Sequence, residues 1–125
     1  MTSTFSQWTL DVRDVDLMAR FWSAALGYDI DPDDDGDGAH LRPPAGAPAN
    51  ALSVWLQPSG GPKRDKNRNH PDLVATAGTA DAEVERLLGL GATRADVGQT
   101  GSEGFTVLAD PEGNEFCVLH RRRTV

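Results

Sequence analysis

The chain of 125 residues repeats itself at a nearly constant spacing, and that limits its possible folds more than any other feature. Each half reads as a strand, a helix closed by Leu-Gly, and a set of strands. The first helix ends in AALGYD and the second in LLGLGATR. Gly91 follows Gly27 by 64 residues, while His70 follows Gln7 and Cys117 follows Val54 by 63 (91 − 27, 70 − 7, 117 − 54). A fixed offset marks duplicated modules. A module of about 60 residues buries little apolar surface alone, so two must combine. The expected fold class is α+β: two βαβββ modules forming a curved mixed sheet around a cavity, helices outside. The expected layout is a single domain over residues 1–125, with module 1 at roughly 4–58, a linker at 59–66 and module 2 at roughly 67–122.

Local chemistry supports each element. In Phe5–Val12, Trp8, Leu10 and Val12 alternate with Gln7, Thr9 and Asp11, which predicts a strand with one apolar and one polar face. Asp14 or Asp16 is placed to cap a helix whose stripe is Leu17, Phe21 and Ala24/Ala25, widened by Met18 and Trp22, with Gly27 as its stop. Ala39–Arg42 and Ala51–Gln57 are strand-like. Thr79 or Asp81 caps a second helix with Val84, Leu87 and Leu88 inward and Gly91 at its end. Asp110-Pro-Glu-Gly-Asn114 is turn chemistry between two apolar runs, Phe105–Leu108 and Phe116–Leu119.

Charge and composition remove whole classes of function. The net charge is −7, which disfavours duplex nucleic acid and anionic membranes as partners. No apolar run approaches the roughly 20 residues that span a bilayer. The N-terminal MTSTFSQWTL lacks the basic and apolar regions of a signal peptide, so a cytoplasmic protein is expected. The single cysteine excludes an internal disulfide and any multi-cysteine zinc site. Asp31-x-Asp33-x-Asp35-Gly36 matches half of a calcium loop, but its twelfth position is Arg42 instead of Glu, so it reads as a solvated acidic hairpin loop. The basic cluster Lys63, Arg64, Lys66 and Arg68 is either a solvated linker or a patch that attracts an anion. His40 and His120 are expected at the surface, as is the basic tail Arg121–Arg123.

Alternation puts His70, Asp72 and Val74 on one strand face and Glu115, Cys117 and Leu119 on another. His70 with Asp72 beside it is the candidate acid–base pair. The plainer alternatives are a His70 that bridges backbone at a strand start and an Asp72 paired with Arg68. Cys117 reads first as a small buried hydrophobe and second as a nucleophile. Gln7, Thr9, Trp55, Lys66, Arg68, Glu115 and Cys117 are the candidate substrate contacts. Trp8 and Trp22 join Trp55 as rings able to stack on a planar ligand if they reach the cavity, although core packing is the first reading of the aromatic stripe on the first helix.

Three blocks, LDVRDVDLMARFWSAALGYD, KNRNHPDLVATAGTADAEVERLLGLGATR and VLADPEGNEFCVL, resemble the glyoxalase/bleomycin-resistance/extradiol-dioxygenase superfamily, or vicinal oxygen chelate superfamily. The similarity is greatest to its glyoxalase-like branch, in which KNR-x-H-x-D and DPEGNEFCVL occur together. The resemblance implies two metal-ligand positions per module, one on its first strand and one on its last. They fall on Gln7, Val54, His70 and Cys117. Val54 cannot bind a metal and Cys117 only as a thiolate, so the set is incomplete for a hard divalent ion and no cofactor is implied. Homodimers are common in the superfamily, so a homodimer is the expected assembly. The resemblance implies a small-molecule ligand and three functions. One is a metal-independent lyase or dehydratase with His70 as acid/base and Lys66 or Arg68 holding an anionic group. Another is sequestration of a drug or metabolite, as in bleomycin-resistance members. The third is a divalent-metal-dependent glyoxalase or dioxygenase.

Overall fold

A computed structural model of the protein describes residues 1–32, 37–59 and 61–121. The chain divides into two compact units, Met1–Pro62 and Lys63–Val125. Each unit contains one βαβββ module, so the fold is α+β.

The first unit runs β1 (Gln7–Val12), α1 (Val15–Leu26), β2 (Asp29–Pro32), β3 (Ala39–Arg42) and β4 (Ser53–Pro58). Its strands lie in the order β1-β4-β3-β2, with β1 parallel to β4 and the other pairs antiparallel. The Asp14 carboxylate accepts from the Leu17 amide at 3.0 Å, so Asp14 is the cap and Asp16 adds charge to the first turn. Gly27 ends α1 at φ 70°, a left-handed conformation that a side chain would strain. The buried stripe of α1 is Met18, Ala19, Phe21, Trp22 and Ala25; Leu17 is half-buried and Ala24 exposed. Phe21 and Ala25 of the expected stripe are buried together with the flanking Met18 and Trp22, so the face is centred nearer Met18–Trp22 than Leu17–Ala24. Trp22 packs edge-on against both Trp8 and Phe21, with ring centroids 5.1 Å apart in each pair. Trp8 and Trp22 are thus committed to this core and are not stacking surfaces.

The second unit repeats the plan: β5 (Asp72–Leu73), α2 (Ala80–Leu90), β6 (Thr93–Arg94), β7 (Phe105–Ala109) and β8 (Glu115–Leu119). The strand order β5-β8-β7-β6 corresponds place for place to that of the first unit, again with one parallel pair, β5 with β8. The Thr79 hydroxyl accepts from the Ala82 amide at 3.1 Å and caps α2, leaving Asp81 in the first turn. Val84 and Leu87 are buried and Leu88 is half-buried, so α2 has a narrower apolar face than α1. The β7–β8 turn is built around Asp110, which is 2% exposed. One of its carboxylate oxygens accepts from the amides of Glu112 and Asn114, both at 3.0 Å, and its own amide donates to the Asn114 carbonyl at 2.9 Å. Gly113 takes φ 90°, which completes the reversal.

Three expectations need correction or fall outside the description. Strand β5 has only two residues, so His70 precedes it and Val74 follows it instead of sharing its face. Pro71 offers no amide to the ladder but accepts from the Cys117 amide at 3.1 Å, which sets the start of pairing. His40 is half-buried on β3, against the ring of Trp55 at a centroid distance of 4.6 Å, so it is not a free surface residue. Of the acidic half-loop, Asp33, Asp35 and Gly36 lie outside the described residues, as do Arg122 and Arg123 of the tail. Asp31 sits in β2 and pairs with Arg42 at 2.6 Å.

Candidate functional site

Alternation along β8 determines what the second unit can do. Phe116 and Val118 are buried on the side where β8 packs on α2. Glu115, Cys117 and Leu119 point the other way and line a pocket of about 360 Å³. The antiparallel register sets Phe105 opposite Leu119 and Val107 opposite Cys117, and both β7 residues line the same pocket. Asp72 is the register partner of Cys117 across the parallel pair, and Lys66, His70 and Val97 complete the lining.

Three chemically active groups meet at the middle of this pocket. His70 Nε2 lies 3.3 Å from Asp72 Oδ1, and their side chains are 36% and 50% exposed. Asp72 therefore pairs with His70 and not with Arg68. One donor atom from each of His70, Asp72 and Cys117 lies within 4.8 Å of the others. Burial pushes the Cys117 thiol up from its ordinary value. The Asp72 charge and a thiol hydrogen bond to that carboxylate push the same way, and the Lys66 ammonium opposes them. The thiol is thus held toward its protonated form, beside the Asp72 carboxylate.

A strap of chain holds the other side. Lys63 Nζ pairs with Glu115 Oε2 at 2.8 Å, and the Asn67 amide donates to Glu115 Oε1 at 2.7 Å. Asn67 Nδ2 donates to Asn114 Oδ1 at 3.1 Å. Burial alone would raise the Glu115 carboxyl, but Lys63 and the Asn67 amide together hold it below the usual carboxylate value. Both carboxylate oxygens of Glu115 thus anchor the segment that carries Lys66 and His70 to the pocket. Lys66 itself donates to the Asn67 carbonyl at 3.3 Å and has no carboxylate partner among the described residues. It is the cation among the residues that line the pocket. Arg68 is exposed and does not line it.

Gln7, Thr9 and Trp55 belong to the first unit, on the polar face of its sheet. Gln7 donates to the Thr9 hydroxyl at 3.5 Å. The Trp55 indole donates to Gln57 Oε1 at 3.2 Å, and Gln57 donates to Asp11 at 3.3 Å. Val54 is 2% exposed and faces the opposite, helix-covered side. In the ladder Trp55 pairs with Thr9 as Cys117 pairs with Asp72, so Trp55 is the counterpart of Cys117 and Val54 is not. The expected Val54 position was one residue out of register, and one residue reverses the face. The apolar lining residues Val97, Phe105 and Val107 were not singled out in the sequence. The turn at Asp110–Asn114 was the available signal for the β7 pair, since it fixes which residues of Phe105–Ala109 face Cys117 and Leu119.

The donor set can be weighed against the metals that such folds bind. An imidazole, a carboxylate and a thiolate suit a zinc-like ion, whereas Mn²⁺ and Mg²⁺ prefer an oxygen-rich cage. The first unit's counterpart positions, Gln7, Thr9 and Trp55, contain no carboxylate. The residues therefore fit a soft three-donor centre, at the cost of the Cys117 proton, and do not fit a hard-ion cage.

The glyoxalase-like domain pattern matches residues 7–119. No curated protein matches the sequence at a significant level. Among solved structures, the fosfomycin resistance protein FosX from Listeria monocytogenes superposes with a TM-score of 0.70 at 17% identity, covering 100% of this chain and 97% of that one. A mutant of that protein, in complex with Mn(II) and dihydroxypropylphosphonic acid, gives the same TM-score and identity over 98% and 93%. A glyoxalase/bleomycin resistance protein from Albidiferax ferrireducens superposes at 0.63 with 24% identity over 95% and 99%. At these identities the structural likenesses speak to fold. With the family pattern spanning both modules, the chain belongs to the glyoxalase-like domain family of the vicinal oxygen chelate superfamily.

Proposed function

We propose that the protein binds a small oxygenated, anionic metabolite in the pocket of its second unit and acts on it as a metal-independent lyase or dehydratase. The observation that carries this reading is the His70–Asp72 pair in a pocket that Lys66 also lines. Lys66 holds the anionic group. Asp72 accepts from one side of the imidazole and from the Cys117 thiol, which fixes the ring's orientation. His70 removes a proton from the carbon next to the activating group and returns it to the departing oxygen, so water leaves and a double bond forms. Relatives support an anionic ligand, since one of them is complexed with a phosphonic acid. The unit is also proposed to work within a homodimer, which sedimentation at several concentrations checks.

The test is ligand-observed NMR against a panel of small hydroxylated carboxylates and phosphonates, followed by product analysis. Conversion by the wild type that His70→Ala lowers at least about a hundredfold, with binding retained, is the expected result. A ligand bound through Lys66 and recovered unchanged from the wild type would leave sequestration in place of catalysis.

One observation favours a second reading, the approach of the His70, Asp72 and Cys117 donors. A zinc-like ion held by those three side chains would supply Lewis-acid polarisation of a substrate oxygen. Metal analysis of protein purified without chelator separates the readings: stoichiometric metal lost in Cys117→Ser favours the second.

A further inference from the structure

We infer that the ligand is amphiphilic: an anionic head on Lys66 and His70 continued by an unbranched apolar tail that runs along β8 toward Leu119. The inference rests on the proposed pocket and extends it to a substrate class. It comes from the polarity gradient along one strand face. At one end Glu115 is occupied by Lys63 and Asn67. In the middle lie Cys117, Asp72, His70 and Lys66, whose charge reaches the Cys117 thiol. At the far end the lining is apolar throughout: Leu119, its cross-strand partner Phe105, and Val97.

These far-end side chains are not core residues. Leu119 and Phe105 are half-exposed and Val97 is exposed, whereas Phe116, Val118 and Leu108 on the opposite sheet face are fully buried. Half-exposed apolar groups at the end of a pocket gain by being covered. A tail joined to a head on Lys66 covers them. From Cys117 to Leu119 the strand advances roughly 7 Å, which a chain of about four to six carbons spans. A wholly polar ligand would leave that end wet, and an uncharged apolar one would make no use of the Lys66 ammonium.

The test is a straight-chain series, methyl- to hexylphosphonate, titrated calorimetrically into the full-length protein, with hexanol as the uncharged control. Affinity is expected to rise about threefold to fourfold per methylene, and hexanol is expected not to bind. Val97→Ser and Leu119→Gln should flatten the rise; Val97 is exposed, so that variant keeps the fold. Lys66→Met should weaken every member about equally. Affinity independent of chain length while Lys66→Met still abolishes binding overturns the tail and leaves the proposed anion pocket standing. No binding by any member overturns both. A rise that persists in both apolar variants, or a change in oligomeric state with Leu119→Gln in place of a change in affinity, assigns the apolar end to something other than a ligand tail and also overturns the inference.

Discussion

The two sheets share a topology and differ in what their open faces carry. In the first unit the polar groups satisfy one another: Gln7 with Thr9, and Trp55 with Gln57 and Asp11. The residue opposite Thr9 is a tryptophan wedged beside His40, and the adjoining Gly38 leaves room for its ring. In the second unit the same ladder position is a cysteine, and the groups around it are an imidazole, a carboxylate and a cation. The two equivalent faces therefore differ: one carries side chains that hydrogen-bond to one another, the other a pocket lined by an imidazole, a carboxylate, a thiol and a cation. The strands differ accordingly. β1 pairs along six residues, while β5 pairs along two and leaves His70 outside the ladder.

The cores differ in the same sense, and the largest expected effect probes this. α1 buries five residues, including the Trp22 indole at 1% exposure between Trp8 and Phe21; α2 buries two. Trp22→Ala should cost about 3–5 kcal/mol, read from urea unfolding. A loss no greater than that of an ordinary surface substitution would end the idea that aromatic packing holds the first unit. Gly38→Ala sharpens the face comparison. A Cβ there would stand 2.3 Å from the Trp55 ring and 2.7 Å from the Leu56 carbonyl, so the ring must move. The expected cost is about 1–3 kcal/mol, with a shift of indole fluorescence. An unshifted spectrum would mean that the ring is not held as described.

Glu115→Gln tests the strap. It removes one charge of a mostly buried pair and should cost roughly 1–3 kcal/mol. The sign of its pH dependence follows from the direction of the shift. The folded-state pKa is lowered, so the stabilisation is complete above the ordinary carboxylate value of about 4.3 and is lost as pH falls through the lower folded value. Denaturant midpoints of the wild type should fall in that acid window more steeply than those of Glu115→Gln. Parallel curves would show that the Lys63–Glu115 pair contributes nothing.

Much of this was legible in the sequence because it is local. The stop at Gly27 and the Asp110–Asn114 turn depend on neighbours within four residues, and so do the caps, each narrowed in the sequence to two candidates of which Asp14 and Thr79 do the capping. The Glu115–Cys117–Leu119 face followed from alternation, whereas His70 meets Asp72 from outside the strand, two residues away. What was not legible depends on long returns of the chain or on single-residue counting. Lys63 meets Glu115 only because the strap folds back on the β7–β8 turn. Trp55, 62 residues before Cys117, stands where an offset of 63 points to Val54, since the modules differ by one residue between first and last strands (117 − 55). The shortness of β5 reflects Pro71, whose missing amide matters only once the partner strand is known.

The smallest expected effect bears on the position where the faces diverge most. The Cys117 thiol is held up by burial and by Asp72, so iodoacetamide should react slowly at neutral pH, and the rate should go on rising past the ordinary thiol value of about 8.5 instead of levelling off there. Asp72→Asn removes the charge and the anionic acceptor while leaving burial and Lys66 in place. The thiol should then ionise more readily, and alkylation at a fixed mildly alkaline pH should quicken by about threefold to tenfold. The rate of a Lys66→Met variant should move the other way, because the cation favours the thiolate. If Asp72→Asn leaves the rate unchanged while Lys66→Met lowers it, Asp72 is not hydrogen-bonded to Cys117. The pocket would then hold a His–Asp pair with an independent thiol, and the soft-metal reading would lose its third donor along with the shared proton.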